Sequence, residues 1–170
     1  RAKWDSTYRE MIKTVQETEN DYQYYRELQK FCALLKDSHT FVLLPKNIDS
    51  LVDTDMFGSC RIRLKNIADK AIITNINESK KGELPIGSEI VDVNGLSTKE
   101  YINQFVAPYI SSSTEYVLKD LGVEKLFTGL KGENYKIKIV TPDGKTKTIS
   151  LIHDITTEKN FYPPVKEIQL

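Results

Sequence analysis

The sequence predicts an α+β fold: a helical hairpin first, then short strands mixed with helices, then a closing β-hairpin. Three observations carry this. Residues 4–36 hold apolar side chains at three- and four-residue spacing, broken once by Thr18-Glu19-Asn20. Residues 59–94 hold three runs with strand character, separated by turn residues. Residues 135–152 hold two strand-forming runs around Pro142-Asp143-Gly144.

In order, Asp5 or Ser6 caps a first helix to about Glu17, with Trp4, Tyr8, Met11, Ile12 and Val15 apolar. Asn20 or Asp21 caps a second, ending near Lys36. Tyr24, Leu28, Phe31, Cys32 and Leu35 share one of its faces. The short connection makes the pair an antiparallel hairpin. Tyr22, Tyr24 and Tyr25 pack one helix on the other with their hydroxyls toward water. The corner Asp37-Ser38-His39-Thr40 leads into Phe41-Val42-Leu43-Leu44, an expected strand that Pro45 stops.

Residues 46–56 form a polar connector. In the strand at 59–67, Cys60, Ile62 and Leu64 alternate with Arg61, Arg63 and Lys65, so one face is buried. Residues 70–77 and 88–94 are the next strands, with a helical turn at 78–83 and a tight turn at Asn94-Gly95. Ser97 and Glu100 form a capping box for a helix to Val106, and Ser112 and Glu115 repeat the pattern for a helix to about Thr128. Ser111, Ser112 and Ser113 read as loop and cap, because nothing local offers a base to their hydroxyls. His153 reads as a solvated surface residue, and residues 156–170 as a linker.

Composition narrows the function. Lys+Arg and Asp+Glu both number 24 among 170 residues, and no basic stripe or acidic tail stands out. That argues against nucleic-acid and anionic-membrane partners. No stretch approaches the roughly 20 apolar residues needed to span a bilayer. Cys32 and Cys60 lack metal-ligand spacing and read as small buried hydrophobes. The abrupt ends suggest a piece of a longer protein.

Leu34-Leu35-Lys36-Asp37-Ser38-His39-Thr40, followed by an apolar strand, resembles the C-terminal processing peptidases, also called tail-specific proteases, with which the tricorn core proteases belong. Many relatives carry Gly where this chain has Ser38; the tricorn branch carries Ser-His. The resemblance implies that His39 is a general base and that Ser38 helps orient it. Residues 57–152 further resemble the PDZ domain of these proteases. The match is Gly82-Glu83-Leu84-Pro85-Ile86-Gly87-Ser88-Glu89-Ile90-Val91-Asp92-Val93-Asn94-Gly95, with Ser88 where Asp is usual.

The expected organisation is therefore a helical hairpin and His-bearing strand at 1–45, a PDZ-like domain with a helical insertion at 46–155, and a linker at 156–170 toward a catalytic domain. The resemblance implies a peptide or unfolded-protein substrate, no cofactor and no metal, and a place in the periplasm or cell envelope. A peptide would add as a strand to the sheet edge, its carboxylate in a backbone nest at Met56-Phe57-Gly58-Ser59. Gly58 allows close backbone approach, Phe57 walls a pocket, and Cys60 opens the receiving strand. The helix from Thr98 to Val106 is expected to line that groove. Three readings stay open: a serine peptidase whose nucleophile comes from a later domain, a non-catalytic peptide-binding scaffold, and a structural His39. A Ser-Lys dyad would leave His39 without a chemical role. Substrate and oligomeric state are not readable.

Overall fold

The computed structural model describes residues 2–49, 52–53, 62–153 and 160–164. Helix α1 (Ala2–Gln16) and helix α2 (Asp21–Ala33) form the expected hairpin. Asn20 is the N-cap of α2, its side chain accepting the Gln23 N–H. The two helices meet through aromatic rings: Phe31 lies edge-on to Trp4 at 6.1 Å and to Tyr8 at 6.4 Å. A short helix α3 (Lys46–Asp49) buries Ile48. Just beyond it, β1 (Val52–Asp53) pairs with β6 (Gly129–Leu130), a small second sheet inside what reads as a polar connector.

The main sheet is antiparallel, in the order β2 (Arg63–Ile67), β3 (Lys70–Asn77), β4 (Glu89–Val93), β7 (Asn134–Val140), β8 (Thr146–Ile152). Alternation, reset in β4 by an irregularity between Ile90 and Asp92, brings Leu64, Ile73, Ile90, Val93, Ile137, Ile139 and Leu151 into one buried core. Helix α5 (Glu115–Glu124) and the turn after it cover that face with Val123, Leu126 and Phe127. Asn94 and Gly95 both have positive φ, at 53° and 87°, and form the expected tight turn into β5 (Leu96–Ser97). Ser97 and Glu100 make both arms of the capping box on α4 (Thr98–Tyr101). The helix then widens into a π-helical turn at Ile102–Val106.

Three expectations need correction. Residues 41–44, expected as a strand, join no ladder among the described residues. Their apolar side chains alternate outward, Phe41 and Leu43 being 60% and 76% exposed. His153 is not at the surface: it is 1% exposed, its Nε2–H donates to the Phe127 carbonyl at 2.7 Å, and its ring lies 5.6 Å from Tyr135. The polar neighbours of His153 in sequence gave no sign that the chain turns inward there. Finally, Phe161 and Tyr162, within the expected linker, form β9 and pair with Asn77 and Ile76 of β3.

Candidate active-site corner and peptide-binding edge

The chain leaves α2 through Leu34 and turns at Lys36, whose φ of 52° lies in the left-handed region. That reversal ends the helix and projects Asp37, Ser38 and His39 from its tip. Asp37 then organises the corner. Its Oδ1 accepts the His39 backbone N–H at 3.1 Å and its Oδ2 accepts the Thr40 hydroxyl at 2.7 Å. The same carboxylate lies 3.4 Å from His39 Nδ1. The Thr40 hydroxyl first, and the His39 amide second, hold the Asp37 carboxyl below the ordinary aspartate range.

The His39 side chain is 96% exposed, so Nε2 is open to solvent. A carboxylate beside Nδ1 favours the tautomer with the proton there, leaving Nε2 as acceptor. Among the described residues no hydroxyl or thiol is hydrogen-bonded to Nε2. The corner can thus receive a proton, but it contains no nucleophile paired with His39.

Ser38, expected to orient His39, has another partner. Its Oγ lies 3.0 Å from Ser113 Oγ and accepts the Ser113 backbone N–H at 3.2 Å. The end of α2 directs residue 38 across to the 111–113 loop, and Asp37 takes the place beside the imidazole. The sequence signal for Asp37 was present: an aspartate two residues before a residue readily accepts that residue's N–H. Beneath the corner, a cavity of about 470 Å³ is lined by Ser38, Phe41, Leu43, Phe105, Ile110 and Leu121, among others.

Among the described residues β2 is an edge strand, paired on one side with β3. The helix beside it is α5, where the sequence suggested the helix from Thr98 to Val106. Asn66 of β2 donates its side-chain amide to Asp120 of α5 at 2.8 Å, and Lys119 reaches Asp69 at 3.5 Å. The α4 helix instead packs on β4, Thr98 Oγ1 donating to the Ile90 carbonyl at 2.6 Å. The inserted turns at Ile102–Val106 and Ala107–Tyr109 separate the two helices, and α5 is the one that flanks β2. Phe57, Gly58, Ser59 and Cys60 lie outside the described residues. Among the described residues no cluster of His, Cys, Asp and Glu is placed to hold a metal ion, and no helix is long and apolar enough to cross a membrane.

The described residues thus combine an edge strand flanked by a helix with a helical hairpin followed by an exposed histidine. No family profile and no curated protein matches the chain. Among solved structures, mature CPAF complexed with lactacystin is similar with a TM-score of 0.61 at 15% identity, over 84% of this chain and 27% of that one. Mature CPAF alone gives 0.59 with the same identity and coverage. The photosystem II D1 C-terminal processing protease reaches 0.39 at 15% identity, over 88% of this chain and 38% of that one, too low to carry an argument. CPAF is a serine protease. The likeness therefore defines an α+β fold that a serine protease contains, and this chain spans about a quarter of that protease's length.

Proposed function

We propose that the chain is the N-terminal part of a serine-type peptidase, with His39 as its general base and the β2–α5 edge as a site that binds or gates peptide or unfolded-protein substrates. The observation that carries this is the His39 corner: an exposed imidazole with a carboxylate 3.4 Å from Nδ1 and Nε2 open to solvent. In acyl transfer, Nε2 accepts the proton of a serine hydroxyl as its oxygen attacks the scissile carbonyl, and then delivers that proton to the leaving amine. Asp37 stabilises the imidazolium that forms between those steps. The serine and the oxyanion donors come from a following domain. The exposure of His39 fits a base that meets its nucleophile across a domain junction.

The test is His39→Ala in the longer protein, assayed for peptide hydrolysis. The expected loss is about a thousandfold or more in kcat, as for removal of any triad member. Unchanged turnover in a folded variant would assign the chemistry to a Ser-Lys dyad elsewhere. The second reading, a peptide-binding module without catalysis, is favoured by the lack of a nucleophile at His39 among the described residues. It predicts no hydrolysis from the longer protein and unimpaired peptide binding in the same variant.

A further inference from the structure

A second cavity lies on the seam between α2 and the sheet, with a volume of about 540 Å³. It shares Tyr22, Arg26, Phe105, Tyr109 and Thr128 with the cavity under the His39 corner, and adds Tyr101, Glu133 and Tyr135. Tyr22 comes from α2, Tyr101 and Phe105 from the α4 region, Tyr135 from β7, and Glu133 from the turn before β7. We propose that this cavity is a binding site for an alkylammonium group on a flexible stem, such as a lysine side chain. The proposal does not rest on the peptidase reading.

The carboxylate is fixed in place. Glu133 Oε2 accepts the Tyr135 hydroxyl at 2.7 Å. The turn that carries it is pinned from both ends: Glu133 N–H donates to the Leu130 carbonyl at 3.2 Å, and His153 N–H donates to the Glu133 carbonyl at 2.9 Å. Gly129 backs the same pair, and a Cβ there would collide with the Glu133 carboxylate and the Tyr135 hydroxyl. Only a glycine lets the small sheet pass this close behind them.

The charge is available. Among the described residues Glu133 forms no ion pair. Arg26, the cation on the opposite wall, is already engaged: its guanidinium lies 3.5 Å from the Tyr109 ring centroid and donates to Gln29 at 2.9 Å. Burial first, and the Glu133 charge second, raise the Tyr101 hydroxyl, while burial and then Arg26 and Glu133 act on Tyr22, which is also raised. Both hydroxyls stay neutral and both sense the same carboxylate. Aromatic side chains around one carboxylate suit a cation that carries apolar surface beside its charge, which an ammonium head on a methylene stem provides. The volume admits a methylene stem as well as the charged head. Glu133 is itself exposed at the cavity's rim, so an acid or a phosphate would be repelled there, and a purely apolar group would gain nothing from its charge.

The test titrates the 170-residue chain with choline, with its neutral isostere 3,3-dimethylbutan-1-ol, and with Nα-acetyl-lysine methylamide, following tyrosine ring signals by NMR. Saturable choline or lysine binding is expected, with the neutral isostere weaker by about tenfold or more. Tighter lysine binding would point to a protein side chain as the source, and tighter choline binding to a free cation. Glu133→Gln keeps the hydrogen bond from Tyr135 and should weaken both cations about fivefold or more at an unchanged melting temperature. Gly129→Ala should do the same by displacing the carboxylate. Equal binding of the isostere, undiminished binding by Glu133→Gln, or no saturable binding of either cation would overturn the assignment.

Discussion

The two histidines of this chain should respond to the same substitution in opposite ways. His153 is 1% exposed and His39 is 96% exposed at its side chain. His153→Ala removes a ring packed against Tyr135 at 5.6 Å and a hydrogen bond of 2.7 Å to the Phe127 carbonyl. Large-to-small changes at such sites cost about 2–4 kcal/mol through lost contacts and the cavity left behind. The hydrogen bond adds about 1 kcal/mol. The total of about 3–5 kcal/mol, for a domain of this size, lowers the melting temperature by about 6–20 °C. His39→Ala removes only an exposed ring and should leave the melting temperature within about 2 °C of the parent. Urea denaturation and calorimetry on the 170-residue chain measure both, and peptide hydrolysis by the longer protein completes the comparison. His153→Ala should retain turnover per folded molecule, whereas His39→Ala should lose it. A His153→Ala loss below about 1 kcal/mol would refute the packing argument, since the site would have to collapse around the missing ring. A collapsed melting temperature for His39→Ala would make His39 a structural residue and remove it from the chemistry.

Other outcomes follow from the same geometry. The Asp37 carboxyl is held below the ordinary aspartate range by Thr40 and His39, so its folded pKa is depressed. Its stabilisation of the corner is present above the unfolded value and is lost as pH falls through the folded one. An NMR titration of the Asp37 carboxyl and of the His39 and Thr40 amides should show that midpoint on the acid side of the normal range, and a normal midpoint would dissolve the corner network. Extended or C-terminal peptides should bind at the β2–α5 edge with micromolar or weaker affinity, because a short groove must order a flexible ligand. Amide shifts along β2 and α5 would locate them there, and shifts confined to α4 would place the groove where the sequence suggested. The 170-residue chain alone should hydrolyse nothing, since the acyl-transfer constellation needs nucleophile, base and oxyanion donors together. Turnover of casein that survives repurification and scales with concentration would show a nucleophile within these residues.

The sheet was legible in the sequence because its signals are local. Period-two alternation at Ile62 and Leu64, the Asn94-Gly95 turn and the Ser97–Glu100 capping box each need only neighbouring residues, and each forms as expected. What escaped was settled by long-range pairing. Val52 and Asp53 look like a polar connector until Gly129 and Leu130 arrive beside them. His153 looks solvated until Tyr135 and Phe127 close over it. Residues 41–44 carry a strand former's composition, but composition cannot supply a partner strand, and among the described residues none pairs with them. Which helix flanks β2 was hidden for a related reason: either capped helix could lie beside it, and the Asn66–Asp120 and Lys119–Asp69 contacts place α5 there.

The candidate site was half legible for the same physical cause. A short motif marks His39, but which side chain faces its ring depends on the direction in which α2 ends. Lys36 turns the chain through the left-handed region, and the two residues that follow it take different partners. Asp37 folds back on His39, while Ser38 reaches Ser113. Ser113 immediately precedes Thr114, the N-cap of α5, whose side chain accepts the Val117 N–H. The His39 corner is thereby tied to the first residues of the helix that flanks β2. The two hydrogen bonds at Ser38 link the corner that carries His39, the proposed base, to the loop that leads into α5. A hydroxyl at position 38 therefore bridges the corner after α2 and the loop before α5, a pair of contacts that glycine at the same position could not make.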